Sequence, residues 1–194
     1  GGWNKEDIAL VKADGSGEWV NLTESGYSEG GSRWVLGGNA LMWYSDRAGY
    51  RSHGSWGSET DIYLVFMNRE AYDKFLMNKE DAALFKEKEK KEKEAEEKEK
   101  AEKEEKKDKK DKKDKKDKKK EEPKSELPTI KYELDGIQDR IVRLTVASAS
   151  HGDAFLSKDG NKLYYFASFE GGGDLWVRDF KDHSTRLLSK GTGY

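Results

Sequence analysis

Cysteine is absent from the 194 residues, which excludes disulfides, thiolate nucleophiles and thiolate metal ligands, and leaves the compartment open. Proline occurs only twice, at Pro123 and Pro128, so little in the chain forbids continuous secondary structure. Three histidines, His53, His151 and His183, lie in separate turn-like segments without ligand spacing, which argues against a metal site. No apolar run reaches the length of a membrane-spanning helix. Nor does the formal net charge of -2 give a general argument for binding nucleic acid or an anionic membrane. The glycines fall in turns, and none forms a phosphate-cradling loop between a strand and a helix, so no cofactor is expected.

What the chain has in excess is charge, at 39% of residues, with a mean hydropathy of -1.06. The excess is local. Lys86 to Glu122 consists of Lys, Glu and Asp, broken only by Ala95 and Ala101. From Lys86 to Lys107 Glu repeatedly precedes Lys by four residues, as in Glu87/Lys91, Glu94/Lys98 and Glu102/Lys106. Each such pair adds about 0.2–0.5 kcal/mol to an isolated helix. From Asp108 to Lys120 the repeat becomes Asp-Lys-Lys, a poorer helix former, where fraying or disorder is expected. The run is read as a solvated, partly helical insertion; a tail for acidic partners or RNA is the lesser alternative. Before it, Tyr72, Phe75 and Leu76 share one helical face, and Asn78 is placed to cap a further turn.

Outside the insertion the pattern is that of short strands and tight turns. Gly152 to Leu188 reads as four antiparallel strands, Asp153–Leu156, Lys162–Phe169, Asp174–Phe180 and Ser184–Leu188, punctuated by Asp159-Gly160 and Gly171-Gly-Gly173. The second half of this unit, an Asp-led apolar strand followed by a strand ending in Leu and a polar residue, recurs at Asp7–Ala13 with Glu18–Thr23. It recurs again at Ile130–Gly136 with Arg140–Thr145, and the first half recurs at Ser32–Ser45. Self-similarity at roughly 40 residues marks a propeller or solenoid array. Both Asp61–Phe66 and Ile130–Leu134 fit the third strand of one repeat, and the sequence leaves that choice open. Alternation nominates Trp19, Trp34, Val35, Leu41, Trp43, Tyr63, Val65, Leu144, Phe155, Leu163, Tyr165, Leu175 and Val177 as core.

Ser148, Ser150, His151 and Asp153 lie close together, but proximity along the chain is not triad geometry, and a connecting loop is the expected role. The loop from Arg47 to Trp56 is the better candidate site. Arg47, Arg51, His53 and Trp56, spaced by Gly and Ser, suit contact with a peptide or a neighbouring domain; the alternative is a loop that packs Tyr50 and Trp56 onto its own sheet.

The motifs Ser157-Lys-Asp-Gly160, Leu163-Tyr-Tyr165 and Asp174-Leu-Trp176 resemble the repeats of TolB-like β-propellers. Nearly the whole chain is similar to a propeller segment of bacterial tricorn-type serine peptidases. The matching pieces include Tyr44–Gly49, Arg51–Gly57, Asp61-Ile-Tyr63 and the Lys/Glu-rich insertion. That resemblance implies an all-β fold, a partial β-propeller of about two to three four-stranded antiparallel blades in residues 1–77 and 124–194. The insertion occupies 78–123. It also implies a non-catalytic scaffold and substrate guide or gate, because nothing in the chain resembles the family's peptidase or PDZ-like regions. A stand-alone TolB-like module recruiting a protein partner is the alternative. The opening Gly1-Gly-Trp3 and the close at Gly193-Tyr194 suggest a fragment, whose exposed blade edges are expected to self-associate.

Overall fold

A computed structural model of the chain describes residues 5–52, 57–108, 129–169 and 172–193. It divides into two compact units, one formed by Gly1–Leu76 with Ile130–Tyr194 and the other by Met77–Thr129. The first unit is mostly β, in three antiparallel sheets.

A short hairpin pairs β1 (Ala9–Leu10) with β2 (Val20–Asn21). Its turn is closed locally: the Ser16 amide donates to Asp14 Oδ1 at 2.9 Å. The next sheet has the order β3 (Glu29–Val35), β4 (Ala40–Ser45), β5 (Asp61–Phe66), β6 (Ile141–Arg143). The last is an up-and-down sheet of β7 (Ser150–Leu156), β8 (Lys162–Ser168), β9 (Gly173–Asp179) and β10 (Ser184–Gly193).

The sheets are held together by two apolar layers. On one face of the β3–β6 sheet, Ala40, Met42, Ile62, Leu64 and Phe66 pack with Ala154, Leu156, Leu163, Tyr165 and Ala167 of the β7–β10 sheet. On the other, Leu41, Trp43, Tyr63 and Val65 pack with Ile8 and Leu22 from the hairpin region and with Ile137. β5 is therefore buried on both faces, which is why its sequence is a continuous apolar run after Asp61. Burying each such large side chain contributes about 1.5–3 kcal/mol. Helix α1 (Arg69–Leu76) closes one end of the first layer: Tyr72 and Phe75 meet Phe66 at ring distances of 5.6 and 5.1 Å, and Phe75 meets Phe180 at 5.0 Å. Leu76, the third residue expected on that face, ends the helix exposed.

β5 fills the third-strand slot. Its ladder with β4 runs unbroken from Ala40↔Phe66 to Ser45↔Asp61, so no room remains for Ile130–Leu134. That segment forms no strand; the Glu133 amide donates to the Met67 carbonyl at 2.8 Å, and only Ile141–Arg143 of the expected second hairpin joins the sheet. Arg140 is buried here. Its Nε donates to the Phe66 carbonyl at 3.1 Å, and its terminal nitrogens reach the carbonyls of Glu133 and Asp135.

Eight of the thirteen nominated core residues are buried: Leu41, Trp43, Tyr63, Val65, Leu144, Leu163, Tyr165 and Val177. Val35 and Leu175 are half-buried. Trp19, Trp34 and Phe155 are instead 66%, 48% and 65% exposed. Alternation identifies which residues share a face but not whether another layer covers it. Phe155 pairs with Tyr164 on the face opposite Ala154 and Leu156, turned away from the β3–β6 sheet. Trp34 meets the Tyr132 ring in a T-shaped contact at 6.3 Å.

A repeated polar device accompanies the repeated strands. In the hairpin region Asp7 accepts from Asn21 Nδ2 at 2.9 Å and the Ser25 amide at 3.1 Å, while Thr23 Oγ1 accepts from the Ile8 amide at 3.0 Å. In the next sheet Asp61 accepts from Thr145 Oγ1 at 2.6 Å, and Thr145 Oγ1 accepts from the Ile62 amide at 3.3 Å. The Leu22 amide donates to Ile8 at 2.8 Å just as the Leu144 amide donates to Ile62 at 2.7 Å. In the last sheet Asp174 accepts from the Gly191 amide at 2.8 Å. Each aspartate thus leads an apolar strand and bonds to the end of the next strand or the segment just after it.

The second unit contains α2 (Lys79–Asp108). Asn78 caps it through a reciprocal pair: Oδ1 accepts from the Asp81 amide and Nδ2 donates to Asp81 Oδ2, both at 2.8 Å. The stretch from Asp108 to Lys120 expected to fray, and both prolines, lie outside the described residues after position 108.

Candidate functional site

The loop between β4 and β5 folds back on itself as a small hairpin. Arg51 bridges to Ser58, and the Glu59 amide donates to the Tyr50 carbonyl at 2.8 Å. Gly49 is required at the fold-back because a Cβ there would collide with the Glu59 carbonyl. Tyr50 stands exposed and does not pack on the sheet.

The two arginines of this loop are placed differently. Arg47 turns inward and bonds to the fully buried carboxylate of Glu29, with its Nε 3.3 Å from Ser45 Oγ. Its guanidinium lies 4.9 Å from the Tyr63 ring centre and 5.9 Å from that of Trp43, and those two rings stack at 5.8 Å. Arg47 is committed to holding the loop base on the sheet. Arg51 pairs with the buried Asp46 at 3.2 Å and lies 5.3 Å over the Tyr27 ring, yet keeps 42% of its side-chain surface exposed. Asp46 also accepts from the Ser28 amide at 3.0 Å, tying the loop to the start of β3. His53 and Trp56 lie outside the described residues.

Beside this loop sits a polar cluster on Asp61. Its buried carboxylate accepts from Arg143 Nη2 at 2.7 Å, Thr145 Oγ1 at 2.6 Å and Ser148 Oγ at 2.7 Å. Burial, and then the charge of Asp61, push the Tyr63 hydroxyl above its ordinary pKa. His151 places Nδ1 2.7 Å from the Thr60 carbonyl, a geometry in which the Nδ1–H donates. Burial holds its pKa below the ordinary value of 6.5, against the opposing pull of that hydrogen bond. Ser148 therefore gives its proton to a carboxylate, His151 gives one to a backbone carbonyl, and Asp153 lies 3.4 Å from Arg33. Ser148 and His151 tie the segment between β6 and β7, and β7 itself, to Asp61 and Thr60, while Asp153 ties β7 to β3. Ser150, His151 and Asp153 thus stand in a strand and not in the connecting loop expected for them. Ser148 and His151 are not bonded to one another: the hydroxyl is taken by Asp61, and His151 Nε2 has no hydrogen-bond partner among the described residues. Among the described residues, no group of three or more His, Asp or Glu is arranged to hold a metal ion.

Glu29 and Asp46, the counter-charges that fix the two arginines, carry no signal in the sequence. Glu29 reaches Arg47 only because β3 and β4 pair Glu29 with Ser45. Asp61 did carry one, as the head of an Asp-led strand repeated at Asp7 and Asp174.

No family model and no curated protein matches the chain. Among solved structures it is similar to the crystal structure of the tricorn protease, with a TM-score of 0.51 and 9% identity, over 98% of this chain and 16% of that one. The chain thus spans about a sixth of the structure it matches. At this identity the likeness is one of fold: a β-rich architecture related to part of the tricorn protease.

Proposed function

We propose that the chain is a TolB-like β-propeller segment of a tricorn-type serine peptidase and serves there as a non-catalytic scaffold that guides or gates peptides. The observation that carries this is the repeat itself. A hairpin and two four-stranded up-and-down sheets are layered face to face, and in each an aspartate heading an apolar strand accepts a hydrogen bond from a segment far along the chain. Radial repetition of four-stranded sheets is how a propeller is built. The fold-level likeness to the tricorn protease supports the same reading.

In this proposal the β4–β5 loop is the contact element for peptides or for other domains of the parent protein. Arg47 anchors its base, while Arg51 offers a half-exposed cation beside the exposed Tyr50. His53 and Trp56 complete the contact set on the strength of the sequence alone. Surface loops on a rigid sheet are where binding residues concentrate.

The test is fluorescence anisotropy with labelled unstructured peptides, run beside an assay for newly released amines. Peptides with acidic or free C-terminal groups should bind. Arg51→Ala should weaken them about fivefold, corresponding to loss of roughly 1 kcal/mol from one charge-assisted contact. No amines should be released. Binding that ignores Arg51→Ala and Trp56→Ala removes the loop from the proposal. Amine release abolished by Ser148→Ala or His151→Ala overturns the non-catalytic role.

A further inference from the structure

We infer that α2 is a self-supporting single helix, a rigid strut of about 45 Å at 1.5 Å per residue, rather than a flexible linker or half of a coiled coil. Its thirty residues, Lys79 to Asp108, are drawn only from Lys, Glu, Asp, Ala, Leu and Phe, without a glycine, proline or β-branched residue. Nearly all are strong helix formers, so no internal point invites a break. Its start is fixed by the reciprocal Asn78–Asp81 cap. Acidic Glu80 and Asp81 occupy the first turn, where the helix dipole favours negative charge.

Beyond Phe85 the helix has nothing to bury: its apolar residues there are Ala95 and Ala101 alone. A coiled coil needs large apolar side chains every three to four residues, so a partner helix would find no seam. What replaces packing is a ladder of charges along the helix itself. Lys91 and Glu87 are 3.0 Å apart, and Lys88–Glu92 and Lys90–Glu94 are each 3.9 Å apart, all one helical turn along the chain. Exposed pairs are individually weak. Here they recur on successive turns of a chain that already prefers the helix, and length dilutes the cost of nucleation. Such a helix holds its two ends at a fixed separation without a partner helix.

The absence of cysteine allows two nitroxide labels to be placed at will in the full chain, at Ala83→Cys and Lys106→Cys. A continuous helix sets these positions about 35 Å apart. A flexible Gly/Ser-type coil of the same length averages about 26 Å, and a charged coil extends further, so the width of the distribution rather than its mean decides. Pulsed electron–electron resonance should give one narrow distribution near the helical distance, the same at low and high protein concentration. Adding Glu94→Pro to the labelled chain should shorten and broaden it. A broad distribution in dilute buffer, whatever its mean, overturns the inference. So does a narrow one that appears only at high concentration together with interchain distances, since that behaviour belongs to an assembled helix.

Discussion

Replacing Asp61 by Ala tests whether the repeated clamp holds the sheets or merely decorates them. The carboxylate is fully buried and accepts three hydrogen bonds, from Arg143 at 2.7 Å, Thr145 at 2.6 Å and Ser148 at 2.7 Å. A hydrogen bond to a charged group contributes about 1.5–3 kcal/mol and a neutral one about 1 kcal/mol. Removing one partner of a buried ion pair costs about 3–5 kcal/mol when the other charge is stranded. Arg143 is not stranded, because 36% of its side chain is exposed and it can turn to water. Thr145 Oγ1 keeps its bond from the Ile62 amide. The expected loss for Asp61→Ala is therefore roughly 3 kcal/mol, at the lower end of the cost of an orphaned pair. Asp61→Asn preserves the shape and one acceptor oxygen, and should lose about half as much. Urea unfolding followed by tryptophan fluorescence, compared at constant m-value, measures both. A loss under 1 kcal/mol for the alanine variant, or equal losses for the two variants, would refute the reasoning. The same substitution at Asp7, whose partners sit at the exposed hairpin, should cost less.

Two further outcomes follow from the same geometry. Burial lowers the His151 pKa below its unfolded value of 6.5, so the unfolded chain binds the proton more readily. Stability should fall as pH drops from near that value and level off below the folded pKa, and His151→Gln should remove this part of the slope; a His151→Gln profile matching the parent between neutral pH and pH 5 would show that the residue contributes no linkage. The face of the β7–β10 sheet that carries the exposed Phe155, together with exposed Leu188, should drive concentration-dependent self-association. Sedimentation should show a mass that rises with concentration and a weaker rise for Phe155→Asp, whereas a strict monomer at the highest attainable concentration contradicts it.

Of the candidate site, the sequence marked the loop but not the division of labour within it. Arg47 and Arg51 look alike as residues four apart in a Gly- and Ser-spaced stretch. Only the pairing of β3 with β4, which brings Glu29 beside Ser45, turns Arg47 inward and leaves Arg51 half in water. The cluster on Asp61 was similarly half-legible. The Asp-led strand and the Leu-Thr ending are local patterns, but their meeting joins Asp61 to Thr145 across 84 positions.

By itself the sequence determined most of the strands and turns, the capped start of α2 and, within its charge ladder, the Glu87–Lys91 pair; the Lys88–Glu92 and Lys90–Glu94 pairs run in the opposite order to the one expected. Each of these rests on periodicity or on contacts within a few residues, which the order of side chains states directly. The tertiary structure decided that Asp61–Phe66 and not Ile130–Leu134 is the third strand. It decided that β5 is buried on both faces, that Arg140 is internal, and that Trp34 and Phe155 meet solvent. Those outcomes depend on which layers lie against a face and which backbone groups are already paired. A strand pattern is the same whether its apolar side meets another sheet or water; the neighbour brought in from far along the chain makes the difference.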